Sequence, residues 1–226
     1  GIGNNSDLVS DDASVKYAYI PDVIDSVTDF ALNQCVAQAM FGVSSGFSDF
    51  STYADLPGVT DGITAPAEPD YSVYSRPLVY SDLFTYLVCD SVSSTSLSLD
   101  GIEWLTYLTE LSLEGNGITD LSPLSGLTAM TVLNLYNNEI ADIAALAELR
   151  QMRNLVLWKN RFEDVSPVAD MLLLEYLDLD TNNVTSVSSL DQLSKLTVVY
   201  LYSNQLESLN GVQGWTNLRY GWFSDN

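Results

Sequence analysis

Hydrophobic and polar positions in the C-terminal part of the chain repeat with a period of 22 residues. An asparagine marks each period, and apolar residues stand three and five positions before it, as Leu113 and Leu111 do before Asn116. Apolar residues recur at many equivalent positions of successive periods. This recurrence excludes coincidence and indicates an array of repeated structural units. The asparagine column consists of Asn116, Asn138, Asn160, Asn182, Asn204 and Asn226.

This pattern resembles the leucine-rich repeat, L-x-x-L-x-L-x-x-N-x-L, in the 22-residue variant of bacterial internalins and many secreted bacterial surface proteins. The resemblance covers residues 97–226. It implies an α/β fold, a right-handed solenoid (horseshoe) in which each repeat adds one strand to a parallel concave β-sheet. The return along the convex side is then an extended or 3₁₀ segment. Pro123 and Pro167 lie in two such returns, which are too short for a full α-helix.

Stacking of the repeats gives the asparagines a structural role. One repeat cannot bury its own apolar side chains, whereas neighbours stacked at about 4.7 to 4.9 Å form a continuous core and a parallel sheet. Where the chain turns off the strand, a buried amide side chain can donate to and accept from backbone groups that lack ladder partners. Replacing one asparagine is expected to cost on the order of 1 to 3 kcal/mol. Four residues after three of the asparagines stand carboxylates that we interpret as caps of the 3₁₀ turns: Asp120, Asp142 and Asp164.

Residues 1–82 form the predicted N-terminal cap, and the solenoid occupies 83–226. Apolar residues at helical spacing, with polar cap candidates before them and Gly42 after them, predict an amphipathic helix at about 26–41. We expect this helix to cover the open end of the solenoid. An irregular insertion at 42–81 is rich in Ser, Gly, Pro and Tyr. Two interpretations of it stay open, an extended part of the cap and a functional lid.

The two cysteines, Cys35 and Cys89, lie far apart and outside any C-x-x-C spacing, which argues against a metal knuckle or a thioredoxin-type site. The residues alone leave open a disulfide and two buried thiols. Residues 19–36, however, resemble the cap of leucine-rich repeat proteins secreted by Gram-negative bacteria, in which a helix cysteine accompanies an L-x-C in the first strand. That resemblance implies a Cys35–Cys89 disulfide, which closes a loop of about 50 residues and stabilises the fold by roughly 3 to 4 kcal/mol. Leu87 and Cys89 fall two residues out of the 22-residue register.

Charge and composition argue against several classes of function. The chain has 30 acidic and 8 basic residues, so its field repels phosphate backbones and nucleic acid is not an expected partner. No apolar run reaches the roughly 18 to 20 residues of a membrane span. The chain contains no histidine, which excludes histidine-based triads and H-E-x-x-H zinc sites. Residues 1–12 carry no signal-peptide pattern, so the chain is either cytosolic or exported by a signal outside this sequence.

The strand residues that flank the buried leucines are expected to form a concave face exposed to water. Seven of these eighteen positions are Tyr or Trp, although only 11% of the chain is aromatic. Aromatic side chains offer large contact areas with few rotors, so this enrichment indicates a recognition surface. Plain covering of the sheet by cross-strand aromatic pairs is the alternative. The candidate ligand-binding residues are Tyr136, Trp158, Tyr176, Asp178, Asp180, Tyr200, Tyr202, Tyr220, Trp222 and Lys159.

Neither a cofactor nor a metal is expected. Residues 178–183 begin like a calcium loop, but Asn183 and Ser189 stand where an EF-hand requires Gly and Glu. The pair Asp178 and Asp180 offers carboxylates for glycan chemistry. We expect the pair to stay open and solvated, with nothing to shift the two pKa values apart.

These observations predict a non-catalytic binding module that recognises a protein or a glycan through its aromatic concave face. The resemblance implies a secreted, periplasmic or cell-surface location. A mainly structural cell-envelope protein and a carboxylate-based glycan-acting enzyme are the alternatives. The last repeat has Gly221 and Trp222 where a leucine and a polar residue are usual, so its open edge also suggests self-association.

Overall fold

The computed structural model describes residues 27–41 and 85–226. Helix α1 spans Phe30–Phe41. It begins after Asp29 because one carboxylate oxygen of Asp29 accepts the backbone N–H groups of Ala31, at 2.9 Å, and Leu32, at 3.2 Å. The other oxygen accepts the N–H of Ser98 at 3.1 Å, which ties the helix start to the first repeat. The insertion at 42–81 and residues 1–26 of the cap lie outside the described residues.

Seven three-residue strands form one parallel sheet in which spatial order follows chain order. The central residue of strands β1 to β6 is apolar and buried, and the flanking residues point to the opposite face, as the pleat requires. The solenoid with a parallel sheet is thereby confirmed. The strands are β1 Tyr86–Val88, β2 Glu110–Ser112, β3 Val132–Asn134, β4 Asn154–Val156, β5 Tyr176–Asp178, β6 Val198–Tyr200 and β7 Tyr220–Trp222.

The register of the sheet follows the sequence period from β2 onward. Leu111 pairs with Leu133, and Leu133 pairs with Leu155, each exactly one period further along the chain. Leu87 instead pairs with Leu111, which lies slightly more than one period away. The offset seen in the sequence is therefore absorbed between β1 and β2, and the first strand still stacks on the next one.

The convex side consists of short 3₁₀ turns, as the prolines predicted. In the turn Ser122–Leu124, Pro123 occupies an early position where no backbone N–H is required. Asp120 accepts the N–H of Ser122 at 2.8 Å, and these hydrogen bonds hold the pKa of its carboxyl below the usual value. Asp142 and Asp164 make the equivalent bonds at 2.8 Å, to Ala144 and Ser166. The described turns are Ile102–Trp104, Ser122–Leu124, Ala144–Leu146, Ser166–Val168, Ser188–Leu190 and Val212–Gly214.

The asparagines connect neighbouring coils through their buried amides. Asn138 donates from Nδ2 to the carbonyls of Leu113 and Leu135, each at 3.0 Å. Its Oδ1 accepts the N–H groups of Asn116 and Ile118, each at 3.0 Å. One side chain thereby satisfies backbone groups in its own coil and in the preceding one. Asn116, Asn160, Asn182 and Asn204 are buried as well, whereas Asn226 at the end of the array is exposed.

The residue before each asparagine adopts a left-handed backbone conformation, which sequence reasoning did not foresee. Lys159 has a φ of 59° and Thr181 a φ of 51°. This region disfavours side chains with a branched Cβ, so Thr181 in particular is held there by the surrounding turn. The left-handed residues at this position are Gly115, Asn137, Lys159, Thr181, Ser203 and Asp225, and Ser91 has the same conformation before Val92 in the first repeat.

A disulfide joins the cap helix to the first repeat. Cys35 of α1 is bonded to Cys89, which directly follows β1. Leu32 and Val36 of the helix are buried in the same core as Leu87. The predicted pairing is present, and the helix covers the end of the core next to β1 rather than standing apart from it.

Candidate functional site

The concave face consists of the first and third residues of each strand and the residue two positions after the strand. Hydrogen bonds between adjacent coils continue past the strand ends, as from the N–H of Gly115 to the carbonyl of Tyr136 at 2.9 Å. The post-strand residues are therefore held in the same ladder as the strands. Side chains on this face are spaced by the distance between strands, about 4.7 to 4.9 Å.

Two aromatic residues meet near the middle of the concave face. The ring centroids of Tyr136 and Trp158 lie 4.5 Å apart with an interplanar angle of 31°. Trp158 remains 40% exposed, so the pair covers the sheet and still offers ring surface to solvent. Contact between neighbouring rings fixes their orientation, which lowers the entropic cost of binding a ligand against them.

A second aromatic pair lies two strands further along. The rings of Tyr176 and Tyr200 have centroids 5.8 Å apart and are tilted by 53°. Tyr202 follows β6 and is 39% exposed. Tyr202 also hydrogen-bonds Asp225, and this contact raises the pKa of the Tyr202 phenol. The aromatic residues associated with β3 to β6 thus form two contacting pairs, with Tyr202 beyond the second.

Asp178 departs from the sequence expectation of an open, solvated carboxylate pair. It is only 7% exposed because its register neighbours on the two adjacent strands are Val156 and Tyr200, both larger side chains. Burial, with a further contribution from Asp180, raises the pKa of Asp178 to about 6. Asp178 accepts the N–H of Asp180 at 3.1 Å, which opposes this shift.

Asp180 is half-buried, and burial also raises the pKa of its carboxyl. Its Oδ1 accepts the N–H of Tyr202 at 2.6 Å. The expectation that the pair stays open and solvated was therefore wrong for Asp178. The cause is burial by the side chains on the two neighbouring strands, which the position of a residue within one repeat does not reveal.

We expect Asp178 to lower the stability of the fold as the pH rises from about 4 to about 6. The carboxyl has a pKa of about 6 in the folded chain, against about 3.9 in an unfolded chain. Between these values the folded state binds more protons than the unfolded state, so stability falls with rising pH. Asp178→Asn removes this contribution. The unfolding free energy of the variant should therefore rise relative to that of the wild type as the pH increases from about 4 to about 6. Urea titrations at half-unit pH steps measure the difference, and a pH-independent difference would contradict the assignment.

Comparison with known proteins shows which proteins this chain resembles in sequence and in fold. The family model "Leucine Rich repeats (2 copies)" matches residues 108–148. An internalin (inlF) from Listeria monocytogenes superposes with a TM-score of 0.59 at 27% identity, over 88% of this chain and 57% of that one. The chain has the leucine-rich repeat fold and is similar to bacterial internalins.

A second solved structure, an internalin C2 (inlC2) from Listeria monocytogenes, shares the fold with a TM-score of 0.53 at 24% identity. It is matched over 89% of the internalin-like chain and 96% of its own length. The internalin-like chain spans 57% of the length of the inlF structure. No curated protein matches it in sequence. Within residues 27–41 and 85–226, no helix is long and apolar enough to cross a bilayer.

Three of the candidate residues of the internalin-like protein lie at the borders of the concave face. Lys159 occupies the left-handed turn position after β4, where its backbone N–H donates to the carbonyl of Asp180 at 2.8 Å. Tyr220 and Trp222 lie on β7, the last strand of the sheet, and are 69% and 58% exposed. Gly221 between them leaves β7 without a buried central side chain. The structure therefore separates a central group on β3 to β6 from an edge group on β7.

Sequence reasoning omitted three acidic residues at the other end of the same face of the internalin-like protein. Glu110 and Glu114 belong to the exposed columns but are not among the candidate ligand-binding residues. Asp90 lay outside the columns because the first repeat is two residues out of register. It accepts the hydroxyl of Ser112 at 2.6 Å and the N–H of Glu114 at 2.8 Å. In the described part of the chain, no group of three or more Cys, Asp or Glu side chains is arranged to hold a metal ion.

Proposed function

We propose that this internalin-like protein is a non-catalytic module that binds a protein ligand on its concave face, with Tyr136, Trp158, Tyr176, Tyr200 and Tyr202 as the main contacts. The fold supports protein binding in general. The observation that carries the specific proposal is the pair of contacting rings, Tyr136 and Trp158, which stay partly exposed on an otherwise regular sheet. Interfaces concentrate their binding energy in such aromatic anchors.

The Cys35–Cys89 disulfide supports export of the protein. Disulfides persist in oxidising compartments and are rare in the cytosol. A secreted, periplasmic or cell-surface location accords with an extended, exposed recognition face and with the acidic composition of the chain. We include this location in the proposal.

An enzymatic role has less support than binding. A carboxyl with a pKa of about 6 is suited to proton donation, and Asp178 has this property. Asp178 and Asp180, however, lie on an open sheet face, and one oxygen of each is already bound to a backbone N–H. Glycan hydrolysis at this pair would have to proceed without the enclosed, water-excluding cleft that such chemistry uses.

The double variant Tyr136→Ala/Trp158→Ala tests the proposed function. We expect it to bind the ligand at least about tenfold more weakly than the wild type, since aromatic hot spots contribute about 2 kcal/mol or more each. Immobilised wild type and variant are incubated with host-cell or neighbouring-cell extracts, and retained proteins are identified by mass spectrometry. Their affinities are then measured with purified protein.

Trp104→Ala is the matched control because Trp104 is 41% exposed and lies in a 3₁₀ turn on the convex side. We expect it to retain full binding. Equal losses in both variants, or no loss in the concave variant, would refute the assignment of the face. Binding on a glycan array would point instead to a sugar ligand, glycan hydrolysis to an enzyme, and the absence of any retained ligand to a structural role.

A further inference from the structure

The concave face is uniformly acidic where it is charged. Three positions from each of the seven strands give 21 described positions, none of which is Lys or Arg. Basic side chains lie elsewhere, as Arg153 does in its ion pair with Glu175 at 2.7 Å and Arg161 in its pair with Glu139. The carboxylates on the face are Asp90, Glu110, Glu114, Asp178 and Asp180.

These carboxylates form two groups on either side of the aromatic centre. Along the post-strand column, Asp90 and Glu114 come first, Tyr136 and Trp158 follow, and Asp180 comes next. The adjacent coils are joined by the same ladder of backbone hydrogen bonds throughout. Glu114 and Asp180 are therefore three strand spacings apart, about 14 Å.

Each acidic group lies beside side chains that could contact a planar cation such as a guanidinium. Near Asp178 and Asp180, the contacting rings of Tyr176 and Tyr200 offer faces against which a guanidinium can stack. The burial that raises the pKa of Asp178 disfavours its ionised form, and a cation in contact with it would favour that form again. At the other group, Asn134 donates to the Ser112 hydroxyl at 3.0 Å, so Asp90, Ser112 and Asn134 form a polar network beside Glu114.

We infer that the concave face binds a basic, extended segment of a protein partner, with one arginine at Asp178 and Asp180, another at Asp90 and Glu114, and an apolar residue on Tyr136 and Trp158. This inference rests on the proposed function and specifies the partner. In an extended chain, residues i and i+4 are about 14 Å apart, which matches the separation of the two acidic groups. Charge complementarity selects this occupant, because an acidic or neutral segment would leave carboxylates on the face without counter-charges.

The test uses the peptide acetyl-Arg-Gly-Leu-Gly-Arg-amide as a probe. We expect saturable binding by calorimetry, accompanied by a change in the fluorescence of the protein. The peptide with both arginines replaced by citrulline, a neutral side chain of nearly the same shape, should bind at least about tenfold more weakly. Equal binding of the two peptides, or no saturable binding of the arginine peptide, would overturn the inference.

Two charge-matched protein variants locate the binding. Asp178→Asn/Asp180→Asn is expected to weaken binding of the arginine peptide at least about tenfold. Asp191→Asn/Glu207→Gln removes the same number of charges from exposed positions off the concave face and should leave the affinity within about twofold. Equal losses in the two variants would show attraction to the overall negative charge and refute a specific site.

The same variants separate this inference from the proposed function. If a natural partner is lost by Tyr136→Ala/Trp158→Ala but retained by Asp178→Asn/Asp180→Asn, the proposal of a concave binding face stands. The inference that the partner presents a basic segment is then refuted. Peptide binding as predicted, with no protein ligand retained from any extract, would support the cation arrangement and count against the proposed protein-binding function.

Discussion

Replacement of Asn138 by alanine is expected to lower the free energy of unfolding by about 3 kcal/mol or more. The amide is buried, and its Nδ2 donates to carbonyls of two successive coils while its Oδ1 accepts from Asn116 and Ile118. Alanine leaves these backbone groups inside the solenoid without partners, and each unpaired buried group costs about 1 to 3 kcal/mol. Since neighbouring groups relax together, the loss is smaller than the sum of the separate bonds.

Asn226→Ala provides the control for this prediction. Asn226 makes the equivalent contacts from Nδ2, including one to the carbonyl of Leu201 at 2.9 Å, and its Oδ1 accepts the N–H of Leu206 at 3.2 Å. It is exposed, so water replaces the lost bonds and the change should stay below about 1 kcal/mol. Urea denaturation followed by circular dichroism compares the two. Equal effects at both positions would show that burial does not determine the role of the asparagine.

Removal of the disulfide is expected to lower the free energy of unfolding by about 4 kcal/mol. Cys35 and Cys89 are 54 residues apart, and the chain-entropy model assigns about 4 kcal/mol to closing a loop of this length. The variant Cys35→Ala/Cys89→Ala should therefore unfold at a lower urea concentration than the wild type. Reducing agent should destabilise the wild type by a similar amount and leave the variant unchanged.

Alkylation without reductant checks the covalent state of the same protein. We expect no added mass on purified wild-type protein, because both described cysteines are in the bridge. Two alkylated thiols would contradict the disulfide and remove the main support for export. An unchanged stability after reduction would show instead that the cap helix is held to β1 by the packing of Leu32 and Val36 alone.

The acidic pair shows where sequence reasoning failed. From the alternation along β5, Asp178 belongs to the exposed side of the strand, and that assignment to the concave face holds. Whether a side chain on that face is solvated depends on its neighbours in adjacent strands, and for Asp178 these are Val156 and Tyr200. The exposure of Asp178 is determined by residues one full repeat before it and one full repeat after it. The spacing of residues within a single repeat therefore does not predict its raised pKa.

Asp90 shows a second limit of the sequence pattern. It belongs to the concave face. The segment between the paired positions of β1 and β2 is longer than one period, so Asp90 does not align with the exposed columns of the 22-residue repeat. The left-handed residues before the asparagines could not be predicted from the sequence pattern either. Their side chains are as different as Lys159 and Thr181, because the turn imposes the backbone conformation and the side chain does not select it.

The sequence by itself determined the repeat, the parallel sheet, the 3₁₀ returns with their aspartate caps and the pairing of β2 to β7, because each depends on apolar columns or turn residues that recur at a constant spacing. The resemblance added the cysteine pairing. Only the tertiary structure decided which concave side chains contact one another, which carboxylate is buried, and where β1 joins the register. Those properties arise between coils, from the packing of side chains on neighbouring strands, and a pattern read along one coil does not contain them.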